Sequence, residues 1–245
     1  MLRCSPSPPM TLRAILALQV LCLAVLISGC ATITRPTQPI SAIPVKVVQG
    51  KGPGDVLALW YSGDAGWGPT DRAIAAGLAA RGVTVVGVSS SRYFWHGRSV
   101  EAAAADLEAL VASYTLSTGR PKLILVGYSF GGALLPLVEP RLAPQTRARI
   151  GLIAMVAPSR KGQLVVRPWT WLDIFNPSAV ATREAVRAMA PARVICIYGV
   201  RDHGAACPEL AGATVTVLPS GHLFEGQTDV VAAAIAAAAG IAPAS

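Results

Sequence analysis

The sequence predicts a single α/β domain built on a mostly parallel sheet with helices on both faces. From residue 54 onward, short β-branched runs alternate with longer Ala-rich helical stretches, the pattern of parallel strands connected by crossover helices. Most of the strand runs are continuously apolar, as strands buried on both faces are. With 245 residues, 53% of them hydrophobic, the chain is long enough to bury one sizeable core, and no internal repeat divides it.

The body of the chain contains six predicted strands. Each is a short run rich in Val, Ile or Leu, and their ranges are 55–61, 83–88, 122–127, 150–156, 192–198 and 213–218. Between them, Thr70 and Ser99 are placed to cap the first two helices, and residues 228–239 form the last helix. Residues 158–180 are rich in Trp and Pro and follow neither period, so we expect a small cap inserted there.

The first thirty residues predict export. Residues 14–27 are an uncharged apolar run preceded by Arg3 and Arg13, which is the layout of a secretory signal. The run ends in Ile27-Ser28-Gly29-Cys30, which resembles the bacterial lipobox, in which a cysteine is acylated and becomes the new N-terminus. The alternative is an uncleaved membrane anchor with Cys30 incidental, although the run is short for a membrane span.

These features divide the chain into a lipoprotein signal peptide at 1–30, a tether at 31–53 and the folded domain at 54–245. An acylated Cys30 would hold the folded domain on a bacterial membrane, facing the periplasm. Ala31 follows Cys30, where an Asp would resemble an inner-membrane retention signal. We therefore favour the outer membrane.

The basic excess does not predict a nucleic-acid partner. The chain carries 21 Lys and Arg against 13 Asp and Glu, a net charge of +8. These basic residues are scattered and form no run of five like charges, whereas a clustered basic stripe is the footprint of DNA- and RNA-binding proteins. The sequence therefore describes a mildly basic body and predicts no such interface.

The cysteines predict one disulfide. Of the five, Cys4 and Cys22 leave with the signal and Cys30 is the predicted lipidation site. Cys196 and Cys207 remain in an oxidising compartment, so we expect them to pair. The alternative is two unpaired buried thiols.

A strand-turn-helix motif surrounds Ser129. The apolar run 122–127 leads into Gly127-Tyr128-Ser129-Phe130-Gly131, and a helical stretch follows. In this G-x-S-x-G arrangement, the nucleophile elbow, the turn is so tight that small residues must flank the serine, which stands above the sheet at a helix N-terminus. Its position after a buried strand predicts Ser129 as a nucleophile; a packing turn with an idle serine is the alternative.

A nucleophilic serine needs a base, and the chain has three histidines, His96, His203 and His222. We select His222 because it follows the last predicted strand, in the chain order Ser, Asp, His that the elbow fold requires. Asp202, after the preceding strand, is the candidate acid that orients His222. Glu209 is the alternative acid, and an ion pair is the alternative role for Asp202.

The oxyanion formed during acyl transfer needs two backbone N–H donors. Phe130, the residue after the predicted nucleophile, supplies the first. The glycine-rich loop at 61–67 follows an early strand and can supply the second, with Asp64 as the candidate. Asp64 could instead only cap that turn. This chemistry requires no metal and no organic cofactor.

With these residues identified, the chain resembles the VirJ/AcvB family of bacterial virulence proteins, a branch of the α/β-hydrolases, over roughly residues 54–240. The motifs that carry the resemblance are Ser62-Gly-Asp-Ala-Gly-Trp67, Val86-Gly-Val-Ser-Ser-Ser-Arg-Tyr-Phe-Trp95, Gly127-Tyr-Ser-Phe-Gly131, Cys196-Ile-Tyr-Gly199 through Cys207, and Gly221-His-Leu-Phe224. This chain has Ala65, Ser89 and Leu223 where the family usually has Gly, Asp and His. The resemblance implies an α/β-hydrolase fold and an exported protein linked with type IV secretion and virulence.

The resemblance also implies a substrate. Family members hydrolyse aminoacyl-phosphatidylglycerol, so we expect a periplasmic serine esterase that acts on this membrane lipid or on a related acyl ester. The main alternative is a noncatalytic adaptor that binds envelope secretion proteins, and a generic lipase is the third. Arg92 and Arg98 flank an aromatic stretch after the second strand and are candidates to hold a lipid phosphate. Otherwise they are surface residues that solvate a loop or pair with Glu101.

Overall fold

The computed structural model describes residues 36–167, 178–189 and 194–241. The strands are β1 (Val45–Val48), β2 (Val56–Tyr61), β3 (Thr84–Val88), β4 (Lys122–Tyr128), β5 (Ile150–Val156), β6 (Lys161–Gly162), β7 (Val180–Ala181), β8 (Val194–Gly199) and β9 (Thr214–Leu218). The α-helices are α1 (Pro69–Ala80), α2 (Ser90–Tyr93), α3 (Val100–Thr118), α4 (Phe130–Val138), α5 (Pro144–Arg149), α6 (Thr182–Ala185) and α7 (Thr228–Ala238). Short 3-10 helices cover Ile40–Ala42, Glu139–Arg141, Val186–Ala188 and Cys207–Glu209.

Seven of these strands form one sheet in the order β1-β3-β2-β4-β5-β8-β9. All neighbouring pairs are parallel except β1 and β3, which are antiparallel. The six predicted strands are confirmed: the strand at 150–156 has the predicted bounds, and the described ends of the others differ from the prediction by one residue at most. The predicted start of the fifth strand, at residue 192, lies outside the described residues. The carboxyl ends of the parallel strands all lie along one side of the sheet, which we call the carboxyl edge; the opposite side is the amino edge.

Helices cover both faces of the sheet. On one face, Ile74 of α1 and Val231 of α7 pack in one buried cluster, and on the other, Leu107 of α3 and Leu134 of α4 pack in a second. Residues of β2 alternate between these two clusters, and the whole strand Val56–Tyr61 is buried. This double burial explains why the strands are continuously apolar and do not alternate with polar residues.

Part of the segment predicted as a tether folds onto the sheet. In β1, Val45 pairs with Val88 of β3, and the N–H of Ser89 donates to the carbonyl of Pro44 at 2.9 Å. The predicted tether boundary at residue 53 is therefore corrected, because residues before it belong to the folded domain. A four-residue edge strand that carries an exposed Lys46 has too little hydrophobic pattern to be recognised.

The described part of the predicted cap insertion forms a two-stranded antiparallel ribbon, in which Lys161 pairs with Ala181 and Gly162 with Val180. Gly162 lies against α4 so closely that a Cβ atom on it would be 2.3 Å from the carbonyl oxygen of Ala133. The aromatic residues of the insertion, Trp169, Trp171 and Phe175, lie outside the described residues, as do the predicted signal peptide and Cys30.

The two predicted helix caps have different outcomes. Ser99 caps α3, because its hydroxyl accepts a hydrogen bond from the N–H of Ala102 at 3.1 Å. The prediction for Thr70 is wrong: α1 begins one residue earlier at Pro69, with Gly68 as its N-cap. Pro at the first helical position has no N–H to leave unpaired and so favours that start. Among the described helices, none has the length and apolar character needed to cross a membrane.

Candidate active site

Ser129 lies in the turn between β4 and α4, at the carboxyl edge. Its φ of 52° and ψ of −113° fall in a region that residues with side chains rarely adopt. Hydrogen bonds hold this conformation, since its N–H donates to the carbonyl of Val156 at 2.8 Å and its carbonyl accepts from the N–H of Ala133 at 3.2 Å. Ser129 is 8% exposed.

The glycines of the elbow are required by close backbone contacts. A Cβ atom on Gly127 would lie 2.3 Å from the carbonyl oxygen of Gly131, and one on Gly131 would lie 2.1 Å from that of Tyr61. Both distances are far below any van der Waals contact. The two glycines of G-x-S-x-G are therefore required because the ends of the turn lie in close contact with each other and with β2.

His222 and Asp202 continue from Ser129 in a hydrogen-bonded series. Nε2 of His222 lies 3.0 Å from Oγ of Ser129, and Nδ1 of the same ring lies 2.6 Å from Oδ2 of Asp202. With its proton on Nδ1, a neutral His222 donates to the carboxylate and accepts from the serine hydroxyl. The side chain of Asp202 is 7% exposed and that of His222 is 41% exposed, so solvent reaches the ring.

Two loops at the carboxyl edge bring these side chains together. Asp202 follows β8, in a turn closed by its own N–H to the carbonyl of Gly199 at 2.8 Å. A Cβ atom on Gly199 would lie 2.4 Å from the carbonyl oxygen of Ser220, so only glycine lets the loop after β9 approach this closely. That loop carries His222, whose backbone carbonyl accepts a hydrogen bond from the Tyr128 hydroxyl at 3.1 Å.

The alternatives considered for the base and the acid lie elsewhere. His96 and His203 are exposed, and within the described residues only His222 among the histidines contacts Ser129. Glu209 forms an ion pair with Arg160 at 3.0 Å. The structure therefore brings Ser129, Asp202 and His222 together and leaves Glu209 outside the series.

The two candidate oxyanion donors flank Ser129. Phe130 is the first residue of α4, where a backbone N–H has no partner within the helix. The loop after β2 lies on the other side: a Cβ atom on Gly63 would be 3.7 Å from Cβ of Ser129, and Asp64 is the next residue. In the described part of the chain, neither Phe130 nor Asp64 donates its N–H to another backbone group.

Buried serines hold the loop at 61–67 in place. The N–H of Ser90 donates to Oγ of Ser62 at 2.9 Å, and the Ser90 hydroxyl donates to the carbonyl of Ser62 at 2.7 Å. Within the loop, the N–H of Gly66 donates to the carbonyl of Gly63 at 3.0 Å. These bonds attach the loop to the first turn of α2 and so fix the backbone of the loop beside Ser129.

Comparison with known families decides what this chain is. A family model described as bacterial virulence protein (VirJ) matches residues 55–240. The chain belongs to the VirJ family. The resemblance carried by the sequence motifs is thereby confirmed, and the matched region includes Ser129, Asp202 and His222.

Solved structures extend the VirJ assignment to the α/β-hydrolase fold. The chain is similar to Est1E from Butyrivibrio proteoclasticus, with 14% identity, a TM-score of 0.53, and coverage of 78% of this chain and 90% of that one. A putative dienelactone hydrolase from Klebsiella pneumoniae is also similar, with 14% identity, a TM-score of 0.59, and coverage of 81% of this chain and 92% of that one. An α/β serine hydrolase without lid from Xanthomonas campestris has 17% identity and a TM-score of 0.51, with coverage of 79% of this chain and 86% of that one.

At such low identity these likenesses show the fold alone, and the predicted α/β-hydrolase fold is confirmed. A search of curated protein sequences found no match to this chain.

Asp71 is a buried acid next to the loop at 61–67, and the sequence alone does not single it out. The carboxylate is 1% exposed and accepts hydrogen bonds from Nε1 of Trp60 at 2.9 Å and from the N–H of Gly68 at 3.0 Å. Asp71 thus connects β2 to Gly68, the residue that follows the loop at 61–67. Burial raises the pKa of Asp71 to about 6. The hydrogen bonds from Gly68, Trp60 and Gly63 lower the pKa, but their effect is smaller than that of burial. An acidic residue three positions after a helix N-cap was the available sequence signal.

The two candidate phosphate-binding arginines differ in their surroundings. Arg98 is committed to contacts within the domain: its guanidinium lies 3.4 Å from Oδ2 of the buried Asp106 and 4.3 Å from the centre of the Tyr93 ring, and it donates to Thr37. Its charged partner is therefore Asp106, and not the Glu101 named in the alternative role, and the structure does not support Arg98 as a substrate contact. Arg92 is exposed.

The predicted disulfide is confirmed. Cys196 of β8 is bonded to Cys207, with their Cα atoms 5.5 Å apart, and both residues are buried. The bridge closes the loop that carries Asp202 and fastens its far end to the sheet. No group of three or more His, Cys, Asp or Glu side chains suited to a metal ion occurs in the described ranges.

Proposed function

We propose that this VirJ-family protein is a serine hydrolase that cleaves carboxylic esters. In this proposal Ser129 is the nucleophile, His222 is the general base and Asp202 orients the base. The observation that carries the proposal is the series of contacts at 3.0 Å and 2.6 Å that connects these three side chains. Nucleophile, base and orienting acid within hydrogen-bond reach are the geometric requirement for this chemistry.

In the first step, Oγ of Ser129 attacks the ester carbonyl carbon and its proton passes to Nε2 of His222. The carboxylate of Asp202 stabilises the imidazolium that results. The carbonyl oxygen becomes an oxyanion, for which the N–H groups of Phe130 and Asp64 are the donors. Because backbone donors of a rigid loop do not reorganise, they stabilise the developing charge more than water does.

In the second half, the tetrahedral intermediate collapses and the alcohol leaves with the proton from His222, which leaves an acyl group on Ser129. A water molecule then attacks the acyl carbon while His222 again takes a proton. Collapse releases the acid and returns the proton to Oγ of Ser129. The exposed ring of His222 gives water access to the position where it is needed.

Labelling with a fluorophosphonate tests the nucleophile directly, because this reagent phosphonylates only activated serines. We expect the wild type to be labelled and Ser129→Ala not to be, while Ser117→Ala, which changes an exposed serine at the far end of α3, labels as the wild type does. A folded wild type that takes no label would overturn the proposal and favour a noncatalytic adaptor for envelope secretion proteins.

The proposed substrate is aminoacyl-phosphatidylglycerol or a related acyl ester. Membership of the VirJ family supports this substrate through the family resemblance, and an active site at an exposed sheet edge suits an ester presented by a membrane. The experiment is to incubate the protein with aminoacyl-phosphatidylglycerols and follow the released amino acid, with triglyceride as the comparison. Turnover of triglyceride alone would make the protein a generic lipase.

The same proposal places the protein on the periplasmic side of a bacterial membrane, anchored through Cys30. Its support is the apolar run 14–27 and the lipobox-like Ile27-Ser28-Gly29-Cys30 that ends it. Labelled palmitate is expected to enter the wild type and not Cys30→Ser. Equal incorporation in both proteins would overturn the anchor.

A further inference from the structure

The N-terminal part of the described chain reaches the domain at the carboxyl edge. β1 runs antiparallel to β3, with Val45 opposite Val88, so β1 begins where β3 ends. Pro44, bonded to Ser89 just beyond β3, lies at this edge. Before Pro44 the chain lies against α3, where the N–H of Thr37 donates to Oδ1 of Asp106 at 2.8 Å. Pro36 therefore lies beside the first half of α3, the half nearer the carboxyl edge.

The length of chain outside the described residues limits how far this edge can lie from a membrane. Pro36 follows Cys30 by only six positions. Fully extended, this stretch spans at most about 21 Å, since a residue extends about 3.5 Å. An anchor at Cys30 would therefore hold Pro36 within about 21 Å of the bilayer, a distance at which the carboxyl edge can reach the lipid surface.

Exposed apolar side chains lie at this edge on both sides of Ser129. Trp95 is 46% exposed in the loop after β3, while Val200 after β8 is 54% and Leu223 after β9 is 57% exposed. The strand order puts β4, which leads to Ser129, between β3 and these last two strands. At about 4.8 Å per strand, the three side chains span about 24 Å of the edge.

Their chemistry fits a lipid surface. Trp is enriched where proteins meet the headgroup region, because its ring is apolar and its N–H is polar. Arg92, in α2 three residues before Trp95, and Arg201, next to Val200, are both exposed, and such cations attract the phosphate groups of a bilayer. Apolar anchors together with exposed cations are the pattern of peripheral membrane attachment.

We propose that the carboxyl edge around Trp95, Val200 and Leu223 is a docking surface for a phospholipid bilayer. This inference rests on the proposed function, because docking would bring Ser129 to the lipid ester that the protein is proposed to hydrolyse. The docking itself requires no turnover, and it is measurable in a protein that cannot react.

The test uses the full chain carrying Ser129→Ala, reconstituted into vesicles of phosphatidylcholine and phosphatidylglycerol with brominated acyl chains. Bromine quenches Trp fluorescence at short range. We expect stronger quenching with Trp95 present than in the same protein with Trp95→Ser. Adding Val200→Ser while Trp95 is kept is expected to weaken docking by about tenfold, the effect of no longer burying one apolar side chain, and to reduce the quenching.

Leu116→Ser is the matched control. Leu116 is 87% exposed near the end of α3, which begins at the carboxyl edge and ends at the amino edge. Its substitution is expected to leave the quenching unchanged. Equal quenching with and without Trp95 would overturn the inference. A loss of quenching in Leu116→Ser as large as that in Val200→Ser would overturn it as well.

The two proposals fail in different ways. A protein that shows Trp95-dependent quenching yet hydrolyses no ester overturns the proposed function and leaves the docking surface standing. Ester hydrolysis by the wild type without Trp95-dependent quenching overturns the docking surface alone.

Discussion

Oδ2 of Asp202 lies 2.6 Å from Nδ1 of His222, across loops that follow two different strands. The other carboxylate oxygen of Asp202 accepts a hydrogen bond from the N–H of Gly204 at 3.2 Å. The carboxylate is thus oriented by its own turn before it meets the imidazole. This arrangement selects the tautomer in which Nε2 faces Ser129 without a proton.

We therefore expect Asp202→Asn to lower kcat by about 10³- to 10⁴-fold with little change in fold, as loss of the orienting acid does in serine hydrolases. An Asn side chain can donate to Nδ1, which moves the proton of His222 to Nε2 and prevents it from accepting the serine proton. Steady-state kinetics on a short soluble ester, with circular dichroism for the fold, is the measurement.

Glu209→Gln is the matched control, because Glu209 pairs with Arg160 and not with His222. Its activity is expected to stay near that of the wild type. Full activity of Asp202→Asn with loss of activity in Glu209→Gln would show that the acid has been assigned to the wrong residue.

The second prediction concerns the elbow. Gly131→Ala places a methyl group 2.1 Å from the carbonyl oxygen of Tyr61, so β2 and α4 must separate. We expect a loss of several kcal/mol of unfolding free energy, about the cost of overpacking a core or more, together with loss of activity. Urea denaturation measures the first.

Gly212→Ala is the comparison, since a methyl group on Gly212 would have nothing within 4 Å and only the φ of 87° opposes a side chain there. We expect Gly212→Ala to lower the free energy of unfolding by about 1 kcal/mol, because backbone strain is its only cost. Equal losses in the two variants would mean that the contact with Tyr61 is not what requires glycine.

The sequence predicts those features whose cause is local. Six strands were recognised because burial on both faces makes each a continuous apolar run, and Ser129 because the elbow needs Gly127 and Gly131 in fixed positions. The pairing of Cys196 with Cys207 followed by elimination. Chain order predicts His222 as the base, and the structure places its Nε2 3.0 Å from Oγ of Ser129.

Features that depend on tertiary contacts were missed. β1 has no strong hydrophobic pattern of its own. It is a strand because it pairs with β3, and that tertiary contact cannot be read from its sequence. Asp71 resembles an ordinary helix-start acid in sequence, and only its contact with Trp60 shows that it is buried. Arg98 is a candidate phosphate contact in sequence because it flanks an aromatic stretch. Its contact with Asp106, eight residues later on α3, depends on how that helix is oriented, which the sequence does not show.

The third prediction concerns the disulfide. Replacing both Cys196 and Cys207 by Ala is expected to cost about 3 kcal/mol of unfolding free energy, from the entropy that the short closed loop removes from the unfolded chain. Urea denaturation under oxidising conditions measures the difference. A reducing agent should destabilise the wild type and leave the double variant unchanged, and equal effects on both would contradict a role for the bridge.

The fourth prediction is a pH dependence that isolates Asp71. Its pKa is raised to about 6 in the fold from 3.8, so the folded state binds the proton more tightly than the unfolded state. Stability from this group is therefore highest below pH 3.8, falls as the pH rises to about 6 and is constant above that. Asp71→Asn does not titrate there.

Urea denaturation of the wild type and Asp71→Asn at several pH values is the measurement, because the difference between the two cancels other titrating groups. From low pH to about pH 7 the wild type is expected to lose about 3 kcal/mol relative to the variant. A difference that stays constant with pH would show that Asp71 has no raised pKa.

The last prediction separates the two arginines. Arg98→Ala leaves the carboxylate of Asp106, 1% exposed, without its positive neighbour, although the Tyr93 hydroxyl still donates to it at 2.7 Å. We expect a loss of about 2 kcal/mol, less than for a fully buried pair because the Arg98 side chain is 21% exposed. Arg92→Ala is expected to change stability by no more than about 0.5 kcal/mol, because Arg92 is exposed.

Kinetics on two substrates then decide what each arginine does. If Arg92 holds a lipid phosphate, Arg92→Ala lowers kcat/KM on a vesicle phospholipid ester and leaves a short neutral ester unaffected, because only the first substrate carries the charge that a guanidinium binds. Arg98→Ala, in contrast, should affect both substrates alike, since its contacts lie within the domain. A selective loss on the phospholipid in Arg98→Ala, with stability unchanged, would restore Arg98 as a substrate contact and make its contact with Asp106 incidental.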